Sequence, residues 1–457
     1  MKTKTNRFAR LAGVALLAGS VTLTGCDVDE LLDVTDPDTV NPGTLDDPAT
    51  LPIQVNGAYR EFVVAYSGSG GDAFVSVSAL MSDEFFSSGT FSTRTATDRR
   101  NQFTPADGNT SDGTYINMHQ ARYALGQAAD AVERFESTSD PRYAEMKALE
   151  GFTLVVLGEA FCSAVPISQI AEDGTFEFGS PQSSASVSNE AIALLDASIG
   201  AGGGSLPAVA KGRALLNLGQ YGPAAAAVSS VPTDFTYFAA HSEEGASNPI
   251  YSLQDNGRYS IGDNEGINGL PYRSDMDPRV PWFQDPDDPG GFDDNFPLYK
   301  SLRYTAFTSP LVMASGVEAR LIEAEAALNS GNPGGMITIL NDLREDVIPL
   351  MTGLTGGVYT PTSGLAPLTD PGTQDARVDL LMKERAYWLQ LTGHRLGDLR
   401  RLVANYGRSA SDVYPTGAYF KGGDYGDDLV FPLDFDEANN PNYDESACNV
   451  DAAAFGS

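Results

Sequence analysis

Apolar residues recur at three- and four-residue intervals through most of this chain, a spacing that is typical of amphipathic helices. Short segments rich in Gly, Asn and Pro separate these stretches, so each helix is expected to be followed by a tight turn. The pattern predicts helices near residues 51–63, 115–135, 143–161, 189–199, 208–218 and 223–228, and a helix pair over residues 319–345. The chain is therefore predicted to be mainly α.

The segment ALLNLGQYGPAAAAV, residues 214–228, carries the most specific internal signal. A Gly two residues before a Tyr, followed by an Ala-rich helix, is typical of the turn in a tetratricopeptide-like helix pair. Residues 319–345 repeat this arrangement with an Ala-rich helix, a short Gly/Asn/Pro turn and an amphipathic helix. Such pairs bury their apolar faces by stacking, which predicts a helical-repeat scaffold. Generic antiparallel helix pairs are the alternative.

Two long regions lack the helical spacing. Residues 230–310 and 405–457 are rich in Gly, Pro, Asp, Asn and aromatic residues, with short strand-like pieces such as PIYSL and GRYSI. Residues 87–112 are polar and predict no clear element. Long loops in a folded domain are commonly functional. We therefore expect the helix pairs to form one lobe and these loops a second, within one domain that spans residues 51–457.

The first 25 residues have the features of a bacterial lipoprotein signal peptide. A basic start precedes an apolar run that is too short for a stable membrane anchor, and the run ends in LTGC at residues 23–26. Cleavage before Cys26 would make its thiol the lipidation site. Residues 26–50, rich in Asp, Pro and Thr, would then form an extended tether. The alternative is a secreted protein in which this cysteine occurs by chance.

Charge and cysteine content restrict the partners and the compartment. The chain has 61 acidic and 29 basic residues, a formal net charge of −32. Such a surface repels nucleic acid and anionic lipid headgroups, and it also disfavours polyanionic ligands. Export would place the remaining cysteines, Cys162 and Cys448, in an oxidising compartment, where we expect them to form a disulfide. Two unrelated buried thiols are the alternative.

Residues 375–403 hold the densest mixture of charged and aromatic residues in the chain. One helix is predicted to end at Thr392-Gly393 and a second to begin at once. Glu, His and Asp together are compatible with acid–base catalysis, but no Ser, Cys or second His nearby completes a nucleophilic set. Because Arg pairs bidentately with carboxylates, we interpret the segment as a structural network at a two-helix corner. Its predicted members are Glu384, Arg385, His394, Arg395, Asp398 and Arg401.

The candidate binding residues are mainly aromatic. Trp282 and Phe283 lie in a polar loop, and exposed rings stack on sugar faces while Asp, Asn and Arg bond hydroxyl groups. The predicted ligand-binding set adds Tyr272, Arg94 and Phe91. The alternative is that these rings fill the core of the lobe.

The sequence contains no motif for a nucleotide, a transition metal or a serine hydrolase, so no cofactor, metal or catalytic residue is predicted. The acidic loop at residues 285–295 has oxygen ligands that suit calcium, but it lacks the order of an EF-hand. A solvated acidic loop is the preferred interpretation.

Several C-terminal segments together resemble the SusD/RagB family of surface lipoproteins. The N-terminal match is looser and consists of the LTGC motif, Leu31-Leu32-Asp33-Val34 and Ser82-Asp83-Glu84. Trp388 and Thr392 stand near positions where the family has acids. The matching residues are an Ala/Glu-rich helix from Ala319, the corner residues Glu384, Arg385, Gly393, His394, Arg395, Asp398, Leu399, Arg400 and Arg401, and the tail residues Phe431, Pro432, Asn440 and Pro441.

The resemblance implies a tetratricopeptide-like helical scaffold with a looped ligand-binding lobe and no catalysis. It also implies a protein that is lipid-anchored in the outer membrane at the cell surface. Such proteins capture glycans or peptides for nutrient uptake with a SusC-like TonB-dependent transporter. Ligand residues vary within the family, so none is carried over. An all-helical surface glycoside hydrolase and a helical-repeat scaffold that binds only proteins are the alternatives.

Overall fold

The computed structural model of the protein describes residues 45–171 and 174–455. The predicted signal peptide, the lipidation site Cys26 and the tether up to residue 44 lie outside the described residues. A 3-10 helix, Pro48–Thr50, leads directly into the first α-helix. Within the described ranges, no helix is both long enough and apolar enough to cross a membrane.

Helices account for most of the regular structure. Several begin a few residues before the predicted apolar stripe, because polar capping residues lie outside that stripe; Asp140 and Ser183 each accept a hydrogen bond from a backbone N–H of the first turn. The helices are α1 (Leu51–Tyr66), α2 (Phe74–Met81), α3 (Ser92–Asp98), α4 (Asp112–Phe135), α5 (Pro141–Ala160), α6 (Ser184–Gly200), α7 (Ser205–Asn217), α8 (Tyr221–Val228), α9 (Pro249–Asp255), α10 (Gly316–Asn329), α11 (Pro333–Glu345), α12 (Val347–Leu354), α13 (Gln374–Trp388), α14 (Arg395–Ala404) and α15 (Ala410–Val413).

Neighbouring helices pack against one another in order along the chain. Helix α1 packs on α4, and α4 to α8 each pack on the next; α8 then packs on α10, and α10 on α11. Their apolar faces join in one extensive core. The mainly α scaffold of tetratricopeptide-like helix pairs that the sequence predicts is therefore confirmed.

Small residues allow these helices to approach closely. A methyl group at Gly212 in α7 would lie 2.6 Å from Val228 of α8 and 3.0 Å from Ile322 of α10. A methyl group at Gly151 in α5 would lie 2.8 Å from Leu195 of α6. Any larger side chain at either position would force the paired helices apart, because protein interiors have no spare volume.

The strands are short and antiparallel. They pair as β1–β7, β2–β5, β3–β4, β6–β10 and β8–β9, and no sheet of the described residues has more than two strands. The strands are β1 (Phe85–Ser87), β2 (Val165–Pro166), β3 (Gln169–Ile170), β4 (Phe176–Glu177), β5 (Pro181–Gln182), β6 (Thr236–Ala239), β7 (Tyr259–Ile261), β8 (Trp282–Phe283), β9 (Lys300–Ser301) and β10 (Leu311–Ser315).

Two local predictions are wrong. The piece PIYSL lies in helix α9 rather than a strand, because Asn248 caps the helix by accepting the Tyr251 N–H and a proline follows at its first position. Residues 87–112 contain helix α3 instead of no element. The last residue of α3, Asp98, accepts the Ser87 N–H at 2.7 Å, so a tertiary contact holds a segment with little helical pattern of its own.

The corner between α13 and α14 is held by buried ion pairs. Asp398 accepts two hydrogen bonds of 2.9 Å from the Arg385 guanidinium and lies 2.9 Å from Arg401. Burial opposes ionisation of Asp398, but these two guanidinium groups outweigh it and hold the pKa of the carboxyl well below its usual range. Asp398 is therefore ionised in the folded protein, and its ion pairs with Arg385 and Arg401 hold the two helices together.

The other predicted members of the corner take partners from distant elements. Arg395 binds both oxygens of Asp83, at 2.7 and 2.8 Å. His394 contacts Glu318 at 3.0 Å. The remaining ion pairs are Arg401–Glu325 at 3.0 Å, Glu384–Arg279 at 2.6 Å and Glu384–Arg344 at 2.6 Å. We call this set, with Asp398 and Arg385, the corner network. It joins the last helix pair to α10, α11 and the residues after α2.

The predicted end of α13 is wrong by four residues. The helix stops at Trp388, and the chain turns through Leu391 and Gly393, which both have positive φ angles. Leu391 accepts this conformation because its N–H donates to the buried Glu84 carboxylate at 2.9 Å. A side chain at Gly393 would meet the Phe74 ring at 2.8 Å, so only glycine fits there.

A disulfide joins Cys162 and Cys448 in the structure. Cys162 lies just beyond α5, and its N–H donates to the Phe431 carbonyl at 2.9 Å. The bond therefore ties the C-terminal tail to the helical scaffold across 286 residues of sequence.

Candidate functional site

Aromatic rings and cations come together on one exposed surface of the loop-rich region. Antiparallel pairing of β1 with β7 places Ser88 beside Arg258, whose carbonyl accepts the Ser88 N–H at 2.9 Å. The Phe292 N–H donates to Gly257 at 2.9 Å, which brings a third segment to the same edge. The residues of this surface are Phe91, Arg94, Arg258, Phe292, Phe296, Phe420 and Lys421, and we call it the aromatic–cation surface.

Arg258 lies against two exposed rings. Its guanidinium carbon is 3.2 Å from the ring centroid of Phe292 and 4.7 Å from that of Phe91. Phe91 is 51% exposed and Phe292 is 57% exposed, so both rings also face solvent. Arg94 lies 4.9 Å from the Phe91 centroid and pairs with Asp72 at 2.8 Å. Contact with cations orients the rings while leaving ring surface available to a ligand.

Lys421 anchors the other half of this surface. Its ammonium group donates to the carbonyl of Gly89 at 2.8 Å and lies 5.2 Å from the Phe296 centroid and 5.5 Å from that of Phe420. The rings of Phe296 and Phe420 meet edge to face at 5.2 Å. The loop after α15 is thereby fixed against the residues that precede α3.

Two acids lie beneath the aromatic–cation surface. Burial, with the nearby Glu265 carboxylate as a second cause, raises the pKa of Asp98 far above its usual range; Asp98 also accepts a hydrogen bond of 2.8 Å from the Tyr419 hydroxyl. Burial raises the pKa of Glu265 to about 7. At neutral pH both groups therefore carry much less negative charge than ordinary carboxylates. As a result, they reduce the positive potential near Lys421 less than two ionised carboxylates would.

The structure places the five predicted ligand-binding residues in three different settings. Phe91 and Arg94 meet on the aromatic–cation surface, as described. Trp282 is half-buried: it packs edge to face on Tyr299 at 5.5 Å and donates to the Arg273 carbonyl at 3.3 Å. Phe283 is 44% exposed on strand β8. Among the described residues, no ring contact connects either of these two with Phe91.

The assignment of Tyr272 to the ligand-binding set is wrong. Its side chain is fully buried, its ring packs on Tyr387 at 5.4 Å, and it lies among the acids of the corner. A ligand therefore cannot reach it in this conformation. Sequence inspection also missed Arg258, Phe420 and Lys421, because nothing in their local sequence distinguishes them and only the fold brings them together.

A groove lined by none of these residues is a second candidate. It has a volume of about 400 Å³ and runs between α4, the strands β2 to β5 and the C-terminal tail. Its rim holds Phe176 and Phe178, which meet edge to face at 4.8 Å, and its wall holds Tyr115, whose hydroxyl donates to Glu437 at 2.8 Å. The groove wall also holds Arg122, which donates to the Ser168 carbonyl, so a cation lies at both candidate surfaces.

Residues 45–171 and 174–455 contain no group of three or more His, Cys, Asp and Glu side chains arranged to hold a metal ion. His119 and His241 are held neutral, because burial lowers the pKa of the first to about 3 and of the second to about 4.

Comparison with known proteins yields no match by family model and none among curated proteins. Solved structures do match. Surface glycan-binding protein A from Bacteroides uniformis is 14% identical, with a TM-score of 0.61 over 88% of this chain and 100% of that one. A SusD/RagB family protein from Bacteroides thetaiotaomicron is 14% identical, with a TM-score of 0.58 over 87% of this chain and 96% of that one.

A third match is a SusD-like carbohydrate binding protein from Bacteroides vulgatus, 15% identical, with a TM-score of 0.57 over 77% of this chain and 83% of that one. The TM-scores establish similarity of fold, and the alignments span most of each partner. The resemblance predicted from the corner and tail residues is thereby confirmed at the level of architecture: this chain has the fold of the SusD/RagB proteins.

Proposed function

We propose that this chain is a non-catalytic, lipid-anchored surface protein that binds oligosaccharides at the aromatic–cation surface and passes them to a TonB-dependent outer-membrane transporter. The observation that carries the binding proposal is a pair of exposed rings, Phe91 and Phe292. The Arg258 guanidinium contacts both rings and fixes their orientation. Sugar rings present apolar C–H faces that stack on aromatic rings, and hydroxyl groups accept hydrogen bonds from guanidinium N–H groups.

The fold adds support for this proposal. Two of the matching structures carry the descriptions "carbohydrate binding" and "surface glycan-binding" in their names. The LTGC motif at residues 23–26 supports a lipid anchor, and the SusD-like fold supports a transporter partner. A peptide ligand is the variant of this proposal that the same fold would accommodate.

The glycoside hydrolase alternative is less favoured by the geometry. Hydrolysis of a glycosidic bond generally needs two carboxyl groups that both face the substrate. Asp98 and Glu265 have elevated pKa values, but Asp98 is buried and already accepts the Ser87 N–H and the Tyr419 hydroxyl. A substrate would have to displace these hydrogen bonds to reach the Asp98 carboxyl group.

Calorimetric titration of the mature protein with a panel of oligosaccharides tests the binding proposal. Phe91→Ala and Phe292→Ala should each weaken binding roughly 10-fold, the equivalent of about 1.4 kcal/mol for loss of one stacked ring. Phe176→Ala is the matched control, because that ring is 55% exposed but lies on the separate groove. Loss of binding in the control alone would assign the ligand to the groove and overturn the proposed site.

The anchor and the transporter need separate measurements. Labelling of cells with a radioactive fatty acid should mark the wild-type protein and not Cys26→Ser. Solubilised outer membranes should yield the tagged protein together with a large TonB-dependent barrel. Recovery of the protein without any barrel, under conditions that preserve its fold, would contradict the transport role and leave glycan binding to be judged by titration.

A further inference from the structure

The aromatic–cation surface contains positive charge that no carboxylate neutralises by direct contact. The chain has a net charge of −32, and many of its cations lie within ion-pair distance of an acid, as Arg94 does with Asp72 at 2.8 Å. Throughout the part of the chain that the structure describes, no Asp or Glu oxygen lies within 4 Å of the Arg258 or Lys421 cation. Arg258 is only partly buried and lies against exposed rings, whereas other arginines without an acid partner in the described ranges, such as Arg303 and Arg400, are buried on backbone carbonyls.

Arg258 is held in a geometry that suits an anion. Its backbone is fixed by hydrogen bonds from its own N–H to Leu253 at 2.7 Å and from Ser88 to its carbonyl at 2.9 Å. Phe292 and Phe91 contact the guanidinium at 3.2 and 4.7 Å. Stacking uses the faces of the guanidinium plane, whereas its N–H groups project from the edges. An edge that can bind two oxygens of an anion therefore stays available.

Lys421 contributes in a different way. Its ammonium group already donates to three neutral acceptors, Gly89 at 2.8 Å and the hydroxyls of Ser87 and Thr95 at 3.2 Å each. All three of its N–H groups are thereby used. Lys421 consequently adds positive potential to the surface without being a direct ligand, and Arg258 is the group that contacts the anion.

One carboxylate opposes anion binding. Asp293 attracts both Arg258 and Lys421 electrostatically from beyond ion-pair distance. It lies in the same loop as Phe292 and is partly buried. Removal of its charge should therefore strengthen the binding of an anionic ligand, which provides a change in the opposite direction to that expected for Arg258.

We propose that the ligand of the aromatic–cation surface is an acidic saccharide, whose carboxylate or sulfate group binds the Arg258 guanidinium edge while a sugar ring stacks on Phe91 or Phe292. The inference rests on the proposed glycan-binding function and specifies its substrate class. A neutral glycan offers that edge only hydroxyl acceptors, which bind a guanidinium more weakly than the charged oxygens of a carboxylate or sulfate.

Two matched pairs of ligands test this inference on the purified mature protein. Oligogalacturonate is compared with its fully methyl-esterified form, and sulfated galactan oligosaccharides with their desulfated form, by titration calorimetry. The acidic member of at least one pair should bind 10-fold or more tightly than its neutral partner. The pair that shows the preference distinguishes a carboxylate from a sulfate ligand.

Variants then assign the preference to Arg258. Arg258→Gln should abolish the difference between acidic and neutral ligands, because it removes the charge that only an acidic ligand uses, and should weaken the acidic ligand more than the neutral one. Asp293→Asn should tighten the acidic ligand a few-fold. Arg377→Gln is the control for net charge, because this arginine pairs with Asp370 on an exposed segment. Unchanged thermal unfolding of each variant verifies its fold.

The possible results separate the two proposals. Equal affinity for acidic and neutral ligands, with both lost in Phe91→Ala, would overturn the acidic-ligand inference and leave the glycan-binding function standing. A preference that survives Arg258→Gln would also overturn it. Absence of binding by every acidic and neutral oligosaccharide of a broad panel would overturn both.

Discussion

The corner network and the aromatic–cation surface use the same residue types in opposite ways. In the corner, Arg385 is 1% exposed and its fork lies on the Asp398 carboxylate. On the surface, Arg258 lies on the rings of Phe91 and Phe292, which are more than half exposed. A buried guanidinium loses its hydration on folding and needs fixed partners in its place, such as the Asp398 carboxylate for Arg385 or backbone carbonyls for Arg400. An exposed guanidinium keeps its water and can exchange it for a ligand.

The difference shows that composition does not decide whether an arginine is structural. Burial and the identity of the partner do. A guanidinium that is paired and buried stabilises one arrangement of the chain, and a guanidinium that is stacked and half-exposed leaves donors free for another molecule. The two regions should accordingly respond to substitution in separate measurements, stability for the corner and affinity for the surface.

The largest effect is expected for Asp398→Asn. The substitution keeps the size of the side chain but leaves Arg385 and Arg401 buried without their shared carboxylate, so the free energy of unfolding should fall by about 3–5 kcal/mol. Urea denaturation measures the loss. Glycan affinity, measured at a temperature where the variant is folded, should match wild type. A variant that keeps its stability and loses binding would show that the corner belongs to the functional site.

A smaller effect is expected from acid. Because the pKa of Asp398 is depressed in the folded state, its ionised form stabilises the protein above its unfolded pKa of about 4, and this contribution is lost as pH falls toward the folded value. The stability difference between wild type and Asp398→Asn should therefore be constant from pH 7 to 5 and narrow below about pH 4. Unfolding curves at each pH test this, and a difference that widens in acid would contradict the assigned pKa direction.

The same conservative change in both regions compares them directly. Arg385→Lys keeps the charge but loses the two-pronged contact with Asp398, which should cost about 2 kcal/mol of stability. Arg258→Lys should leave the unfolding midpoint unchanged and weaken an acidic saccharide only a few-fold, because charge remains while the planar fork and its stacking are lost. If both variants changed stability equally, the distinction between the two regions would be invalid.

The smallest effect is expected for Arg377→Gln. Arg377 pairs with Asp370 at 2.7 Å, but the pair is solvent-exposed and screened by water and salt. Its unfolding midpoint and its ligand affinity should both match wild type within error. A clear loss of stability would indicate that exposed ion pairs contribute more in this highly acidic chain than they do in ordinary proteins.

Much of the scaffold could be predicted from local sequence. Helices α4, α5, α6 and α7 follow from their apolar spacing, and the Ala- and Gly-rich turn at residues 214–228 indicates the helix pair because small residues allow close packing. The PIYSL piece was misread as a strand because its β-forming residues outweighed the Asn-Pro cap that starts a helix there. The end of α13 was misplaced because Glu84, more than 300 residues away, stabilises the turn at Leu391.

The candidate site was predicted only in part. Phe91 and Arg94 were included from their place in a polar loop, but Tyr272 was assigned to the same surface although it is buried against Tyr387. An aromatic residue in an irregular segment has the same local sequence whether it fills the core or faces solvent. The choice depends on which side of the chain meets the scaffold, and that is a property of the fold.

By itself, the sequence determined the mainly α class, the helix pairs, the acidic surface and the group of residues that forms the corner, because each depends on periodicity, composition or neighbours within a few turns of helix. Only the tertiary structure decided which arginine meets which acid and which rings reach solvent. Arg258 and Phe292 are 34 positions apart, and Phe91 and Lys421 are far more distant in sequence. Their contact results from β1–β7 pairing and loop closure, which join segments that share no local signal.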